Sequence, residues 1–117
     1  MILVDTSVWV AHLRFGEELL ASALAEGDVL VHPFVIGELA CGNISRRGEI
    51  LELLGQLPFA REATHDEVHA LIERRRLMGR GIGFVDAHLL ASTALTPEAR
   101  LWTHDKRLAQ VAAELVR

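Results

Sequence analysis

The hydrophobic pattern divides the chain into short apolar runs separated by longer stretches of helical period. Ile2, Leu3 and Val4 meet Asp5-Thr6-Ser7 at once, which predicts a short buried strand running into a helix. Val8, Trp9, Ala11, His12 and Leu13 carry that helix, with Thr6 or Ser7 as its expected cap, and Gly16 interrupts it. Leu19, Leu20, Ala23 and Leu24 are spaced for a second helix over residues 17–26, stopped by Gly27. Val29-Leu30-Val31 is a second strand candidate. Pro33, suited to a first helical turn, then opens a helix with Phe34, Val35, Glu38, Leu39 and Cys41 that fades at Gly42-Asn43.

The second half continues the alternation. Ile50, Leu51 and Leu54 mark one side of a helix over residues 46–54, and residues 57–60 read as a brief strand or a loop. Thr64 and Glu67 stand three apart ahead of Val68, Leu71, Ile72 and Met78, a capping box opening a helix. Residues 79–83, with glycine at 79, 81 and 83, form a flexible connector. Residues 84–95 are helical, Pro97 breaks that helix, residues 99–103 are a third strand candidate, and residues 105–116 are a last helix with Leu108, Val111, Ala112 and Leu115 inside. Strands that are apolar on both faces and separated by helices predict a parallel sheet covered on both sides. The expected fold is therefore α/β, a three-layer α/β/α sandwich with a short, mostly parallel central sheet. A length of 117 residues suits one domain over residues 1–117.

Composition narrows the function classes. Half the residues are hydrophobic and 24% are charged, which is globular and not disordered. Twelve Lys and Arg against 16 Asp and Glu give a net charge of −4, which excludes a domain that is basic all over and leaves room for a local basic patch. Cys41 is the sole cysteine, so no intramolecular disulfide is possible and a reducing compartment is expected. The opening Met1-Ile2-Leu3-Val4 has neither the basic segment nor the apolar length of a signal peptide, so the expected location is cytoplasmic. Apolar stretches are interrupted well before the roughly 18 residues of a membrane span.

In open parallel sheets, ligands bind beyond the carboxyl ends of the strands. Asp5 lies directly after the first strand, and Asp105 follows the third, two residues beyond Thr103. Glu38 sits about a turn into the helix after the second strand, and Asp86 opens the helix after the glycine connector. Each alone has an ordinary explanation: Asp5 and Asp105 as helix N-caps, Asp86 as a first-turn acid favoured by the helix dipole. Glu38, between Ile36-Gly37 and Leu39-Ala40, is costly to bury unpaired. Carboxylates converging on one sheet edge repel one another and require compensation. Oxygen-only ligands suit Mg²⁺ or Mn²⁺ better than Zn²⁺, and such a cation organises phosphoester hydrolysis.

The stretch Met1-Ile2-Leu3-Val4-Asp5-Thr6-Ser7-Val8-Trp9 resembles the opening of a PIN domain, in particular of the VapC-type toxin ribonucleases of bacterial and archaeal toxin–antitoxin pairs. Ile36-Gly37-Glu38-Leu39 resembles the second acidic motif of that family. Gly81-Ile82-Gly83-Phe84-Val85-Asp86-Ala87-His88-Leu89-Leu90-Ala91 resembles the third, and Leu101-Trp102-Thr103-His104-Asp105-Lys106-Arg107-Leu108 the fourth. The resemblance implies a metal site of Asp5, Glu38, Asp86 and Asp105, loaded with Mg²⁺ or Mn²⁺, with the hydroxyls of Ser7 and Thr103 beside it. It implies an endoribonuclease acting on RNA, often a structured one such as tRNA or ribosomal RNA. It also implies a homodimer, and a VapB-type antitoxin whose tail places an Arg in the acidic pocket.

An acidic pocket that takes RNA needs a positive rim. Arg46-Arg47, and Arg74-Arg75-Arg76 with Arg80, are the candidates, against the ordinary reading of solvated helix faces. His65 and His69 are four apart, but Asp66 stands where the zinc motif requires Glu, so surface histidines are expected. The glycines at 79, 81 and 83 have neither the strand before nor the Lys-Ser/Thr after that a phosphate loop has. Cys41, Trp9 and Trp102 are expected in the core, Phe15 and Phe34 in the core or an interface, and His88 and His104 as structural histidines. An apolar face around Trp9 or Phe34 is the expected surface for a partner. Two other readings stand beside the ribonuclease: a phosphoacceptor receiver, which needs adjacent acids after its first strand, and a PIN-like binding module without activity.

Overall fold

A computed structural model describes residues 1–115. Its strands are β1 (Ile2–Val4), β2 (Val29–Leu30) and β3 (Arg100–Trp102). Its helices are α1 (Thr6–Phe15), α2 (Glu18–Ala25), α3 (Pro33–Cys41), α4 (Arg47–Gly55), α5 (His65–Arg75), α6 (Phe84–Leu95) and α7 (Lys106–Leu115). The order in the sheet is β2-β1-β3, all parallel, with Leu3 opposite Leu30 on one side and Leu101 on the other. Residues 57–60 contribute one parallel bridge, Val31 to Phe59, through Val31 N–H to Pro58 O at 2.9 Å and Ala60 N–H to Val31 O at 3.0 Å.

β1 is central because it is the most apolar segment. Leu3 and Val4 are fully buried, as are Val8 and Leu20 beside them. Helices α1 to α4 join β1 and β2 in one core around Leu3, Val8, Leu20, Val35 and Leu39. Helices α5, α6 and α7 form a second around Val68, Leu71, Leu90, Leu108 and Val111, and Leu101 of β3 touches both. This is the layered α/β arrangement that the strand pattern predicts.

Several local expectations change. The N-cap of α1 is Asp5, not Thr6 or Ser7, because the Asp5 carboxylate accepts the first helical N–H at 2.8 Å. The capping box of Thr64 and Glu67 is present, but α5 ends at Arg75, where Arg76 turns left-handed (φ 53°). Met78 therefore lies beyond the helix and is exposed. Cys41 is also exposed. The buried stripe of α3 runs through Val35 and Leu39, and a residue two positions further points about 200° away from it. Trp9 is core, as expected, and Phe15 is not, being 85% exposed. Val116, the expected end of the last helix, lies outside the described residues.

Candidate metal and active site

The candidate site lies where β1 and β3 end side by side. Asp5 N–H donates to Trp102 O at 2.9 Å, so the parallel ladder runs one residue past β1 and delivers Asp5 to the sheet edge. Asp5 is buried, and both its oxygens are engaged. Oδ1 accepts Thr6 N–H at 2.8 Å; Oδ2 accepts the hydroxyls of Ser7 at 3.0 Å and Thr103 at 2.7 Å. The Ser7 and Thr103 hydroxyls are 3.3 Å apart, but each has already given its one proton to Asp5. Their lone pairs then serve the turn after β3: Ser7 Oγ accepts His104 N–H and Thr103 Oγ1 accepts Asp105 N–H, both at 3.0 Å. Two hydroxyls thus bind the end of β1 to the start of α7.

Asp105 caps α7, its Oδ1 accepting the N–H groups of Arg107 at 2.9 Å and Leu108 at 3.1 Å. Asp86 is the third residue of α6 and accepts Gly83 N–H at 3.0 Å. The ordinary capping roles are therefore real, but they do not account for the electrostatics. Partial burial pushes the Asp86 carboxyl above its usual range, opposed by the Gly83 hydrogen bond, and the charges of Asp5 and Asp105 push it further. Asp86 thus feels both other aspartates, which a set of unrelated caps would not require.

Glu38 departs from expectation. It is exposed on α3 and accepts the Thr6 hydroxyl at 2.6 Å, so the burial cost foreseen for it does not arise. Thr6 is a residue whose place beside the site sequence reasoning missed; its position in the first helical turn signalled only a cap.

All the donors are carboxylate or hydroxyl oxygens, a set that fits a hard divalent cation. The mutual repulsion felt by Asp86 is the feature such a cation offsets. In the arrangement shown, no group of three or more His, Cys, Asp or Glu among the described residues stands close enough together to chelate an ion.

A family model described as PIN domain matches residues 2–114. The chain belongs to the PIN-domain family. This PIN domain is 54% identical, over 114 residues, to a protein named Ribonuclease VapC32 in Mycobacterium tuberculosis strain CDC 1551 / Oshkosh, covering 97% of this chain and 92% of that one. The same figures hold for Ribonuclease VapC32 of strain ATCC 25618 / H37Rv.

Of the six arginines foreseen as the rim of the PIN domain, Arg46, Arg47 and Arg80 are engaged with partners. Arg46 pairs with Glu49 at 2.7 Å, and Arg47 Nε donates to Ala40 O at 2.9 Å. Arg80 pairs with Glu114 at 2.5 Å, which raises its pKa through hydrogen bonding and charge. His65, His69 and His88 gather around Phe84. His88 is buried, with Nε2 at 3.2 Å from His65 Nδ1, and Phe84 stacks on the exposed His65. His88 is thus the structural histidine expected, and burial followed by the charges of His65 and His69 lowers its pKa. His104 is exposed, 3.8 Å from Glu17.

Proposed function

We propose that this PIN domain is a VapC-type toxin endoribonuclease, a single domain that hydrolyses RNA phosphodiester bonds with Mg²⁺ or Mn²⁺ at Asp5, Glu38, Asp86 and Asp105. The observation that carries the reading is the hydrogen-bonded edge where β1 and β3 end, with Asp5 held by Ser7 and Thr103 and the Asp105 N–H donating to Thr103. The 54% identity to Ribonuclease VapC32 supports RNA as the substrate. When bound, the cation polarises the phosphate and acidifies a water. Ser7 and Thr103 fix Asp5 by donating to one of its oxygens, so that carboxylate enters the reaction already oriented. Asp105 and Asp86 are held by backbone N–H groups at the starts of α7 and α6. Thr6, next to Asp5 in the chain, donates its hydroxyl to Glu38.

Structured RNA such as tRNA or ribosomal RNA, a VapB-type antitoxin, a homodimer and a cytoplasmic setting complete the proposal. No helix among the described residues is long and apolar enough to cross a membrane. Trp9 is buried and so cannot serve the partner surface foreseen around it. The better surface for the antitoxin is a groove of about 510 Å³ lined by Val10, Leu13, Phe15 and Ile44, with Glu38 and Arg14 in its wall to offer charges of both signs.

The receiver reading requires adjacent acids after the first strand; Asp5 is followed by Thr6, and the chain is a PIN domain. The inactive-module reading is opposed by the presence of all four acids. The test is cleavage of total bacterial RNA with Mg²⁺ or Mn²⁺ against an EDTA control, for wild type, Asp5→Asn and Asp86→Asn. Cleavage that needs the cation and is lost in both variants is expected. Wild-type rates in either variant would overturn the site assignment.

A further inference from the structure

An acidic centre repels a polyanion, so the strand to be cut needs a cation close to the carboxylates. Arg46, Arg47 and Arg80 are already engaged with Glu49, Ala40 O and Glu114. Arg107 is different. It is the second residue of α7, and its N–H donates to Asp105 Oδ1 at 2.9 Å. Its side chain folds over Gly81 in the connector before α6. A Cβ on Gly81 would stand 2.6 Å from Arg107 Cδ, 2.7 Å from Nη1 and 3.1 Å from Nε. Gly81 also has φ +81°, a conformation that suits glycine. Two residues on, Gly83 N–H holds the Asp86 carboxylate. The guanidinium is therefore laid on the connector that leads to Asp86, from a helix capped by Asp105.

Arg107 is exposed and makes no ion pair or side-chain hydrogen bond among the described residues. A guanidinium has the planar shape that takes a phosphate through two parallel hydrogen bonds. We infer that Arg107, laid on Gly81 in the connector that leads to Asp86, binds a phosphate of the RNA strand at the edge of the acidic site. This rests on the ribonuclease reading and adds to it a substrate-binding residue, in place of the arginines that the sequence pointed to.

The experiment measures anisotropy of a 5′-fluorescein oligouridylate over a salt series in EDTA, so that binding is read without cleavage, alongside KM and kcat on the same RNA with Mg²⁺. The 117-residue chain is compared with its Arg107→Ala, Arg107→Lys, Gly81→Ala and Arg100→Ala variants. Arg100 begins β3, at the other end of that strand from Asp105, and its loss controls for net charge. Arg107→Ala is expected to weaken binding severalfold at low salt and to lower the slope of log K against log salt by about 0.7, one single-strand phosphate contact. KM should rise more than kcat falls. Arg107→Lys should keep the slope and recover part of the affinity. Gly81→Ala, checked for folding by circular dichroism, should reproduce Arg107→Ala, and the double variant should be no worse than either. Arg100→Ala should match wild type. A wild type that binds and cleaves RNA while Arg107→Ala keeps its affinity, slope and KM would overturn the role of Arg107 alone. A wild type that neither binds nor cleaves RNA would overturn the ribonuclease reading and this inference with it.

Discussion

Thr103 donates its hydroxyl proton to the buried carboxylate of Asp5 across 2.7 Å, although the two residues are 98 positions apart. The bond joins the ends of β1 and β3. Thr103→Val keeps the shape and removes the donor, leaving Asp5 Oδ2 with Ser7 alone. The expected loss of stability is about 1–2 kcal/mol, since the acceptor is charged and buried. RNA cleavage should fall further than this implies, because Asp5 loses its fixed orientation. Denaturant unfolding and single-turnover cleavage test the pair of effects; full activity in a destabilised variant would show that orientation is immaterial.

Asp105 has a structural task and a proposed chemical one, and two substitutions separate them. Asn retains an oxygen for the N–H groups of Arg107 and Leu108, whereas Ala does not. Asp105→Ala should cost about 1 kcal/mol of stability through the lost cap, and Asp105→Asn much less. Both should lose cleavage, because neither supplies a charge. Thermal unfolding read beside RNA cleavage distinguishes the roles; an active Asp105→Asn would reduce Asp105 to a cap.

The ionised form of Asp86 opposes folding. Burial, then Asp5 and Asp105, raise its pKa in the folded chain above that of the unfolded chain. Its stabilising contribution is therefore complete below about pH 3.9 and is lost as pH rises through the folded value. Asp86→Asn keeps an acceptor for Gly83 N–H and never ionises. In metal-free buffer it should melt higher than wild type at pH 7, with the gap closing as pH falls into the carboxylate range. A variant that melts lower than wild type at pH 7 would contradict the repulsion.

His32 gives the opposite sign. Its Nδ1 accepts Phe34 N–H at 3.0 Å and caps α3, while its buried Nε2 has no partner. Burial lowers its pKa, partly opposed by Glu62 and aided by His88. Its contribution is present above about pH 6.5 and is lost as pH falls through the folded value, because protonation puts a hydrogen on the capping nitrogen. His32→Asn keeps a capping oxygen. It should be less stable than wild type at pH 7 but flatter between there and pH 5. Denaturation midpoints across that range check it; parallel curves would place the acid sensitivity elsewhere.

Much of this protein is legible along the chain. The parallel α/β order follows from apolar runs too short and too uniformly hydrophobic for a half-exposed sheet, alternating with helical periods. The four acids stand out by position, Asp5 and Asp105 after strands, Asp86 in a first helical turn and Glu38 within an apolar stretch, but capping accounts for three of them singly, and it is the family resemblance that joins them. The hydroxyls of Ser7 and Thr103 were found through family resemblance, and the structure places both on Asp5. Other features depend on where elements come to rest against one another. Glu38 lies in an apolar stretch yet is exposed, because the stripe of α3 passes through Val35 and Leu39 and turns Glu38 toward Thr6. Arg80 is near the glycine connector in sequence but pairs with Glu114, whereas Arg107 crosses from α7 to lie on Gly81. The sequence determined which groups carry charge and which segments form strands and helices, since propensity and periodicity act over neighbouring residues. Only the tertiary structure decided which charges are spent on partners and that Arg107 comes to rest on Gly81, because that depends on through-space distances between residues far apart in the chain.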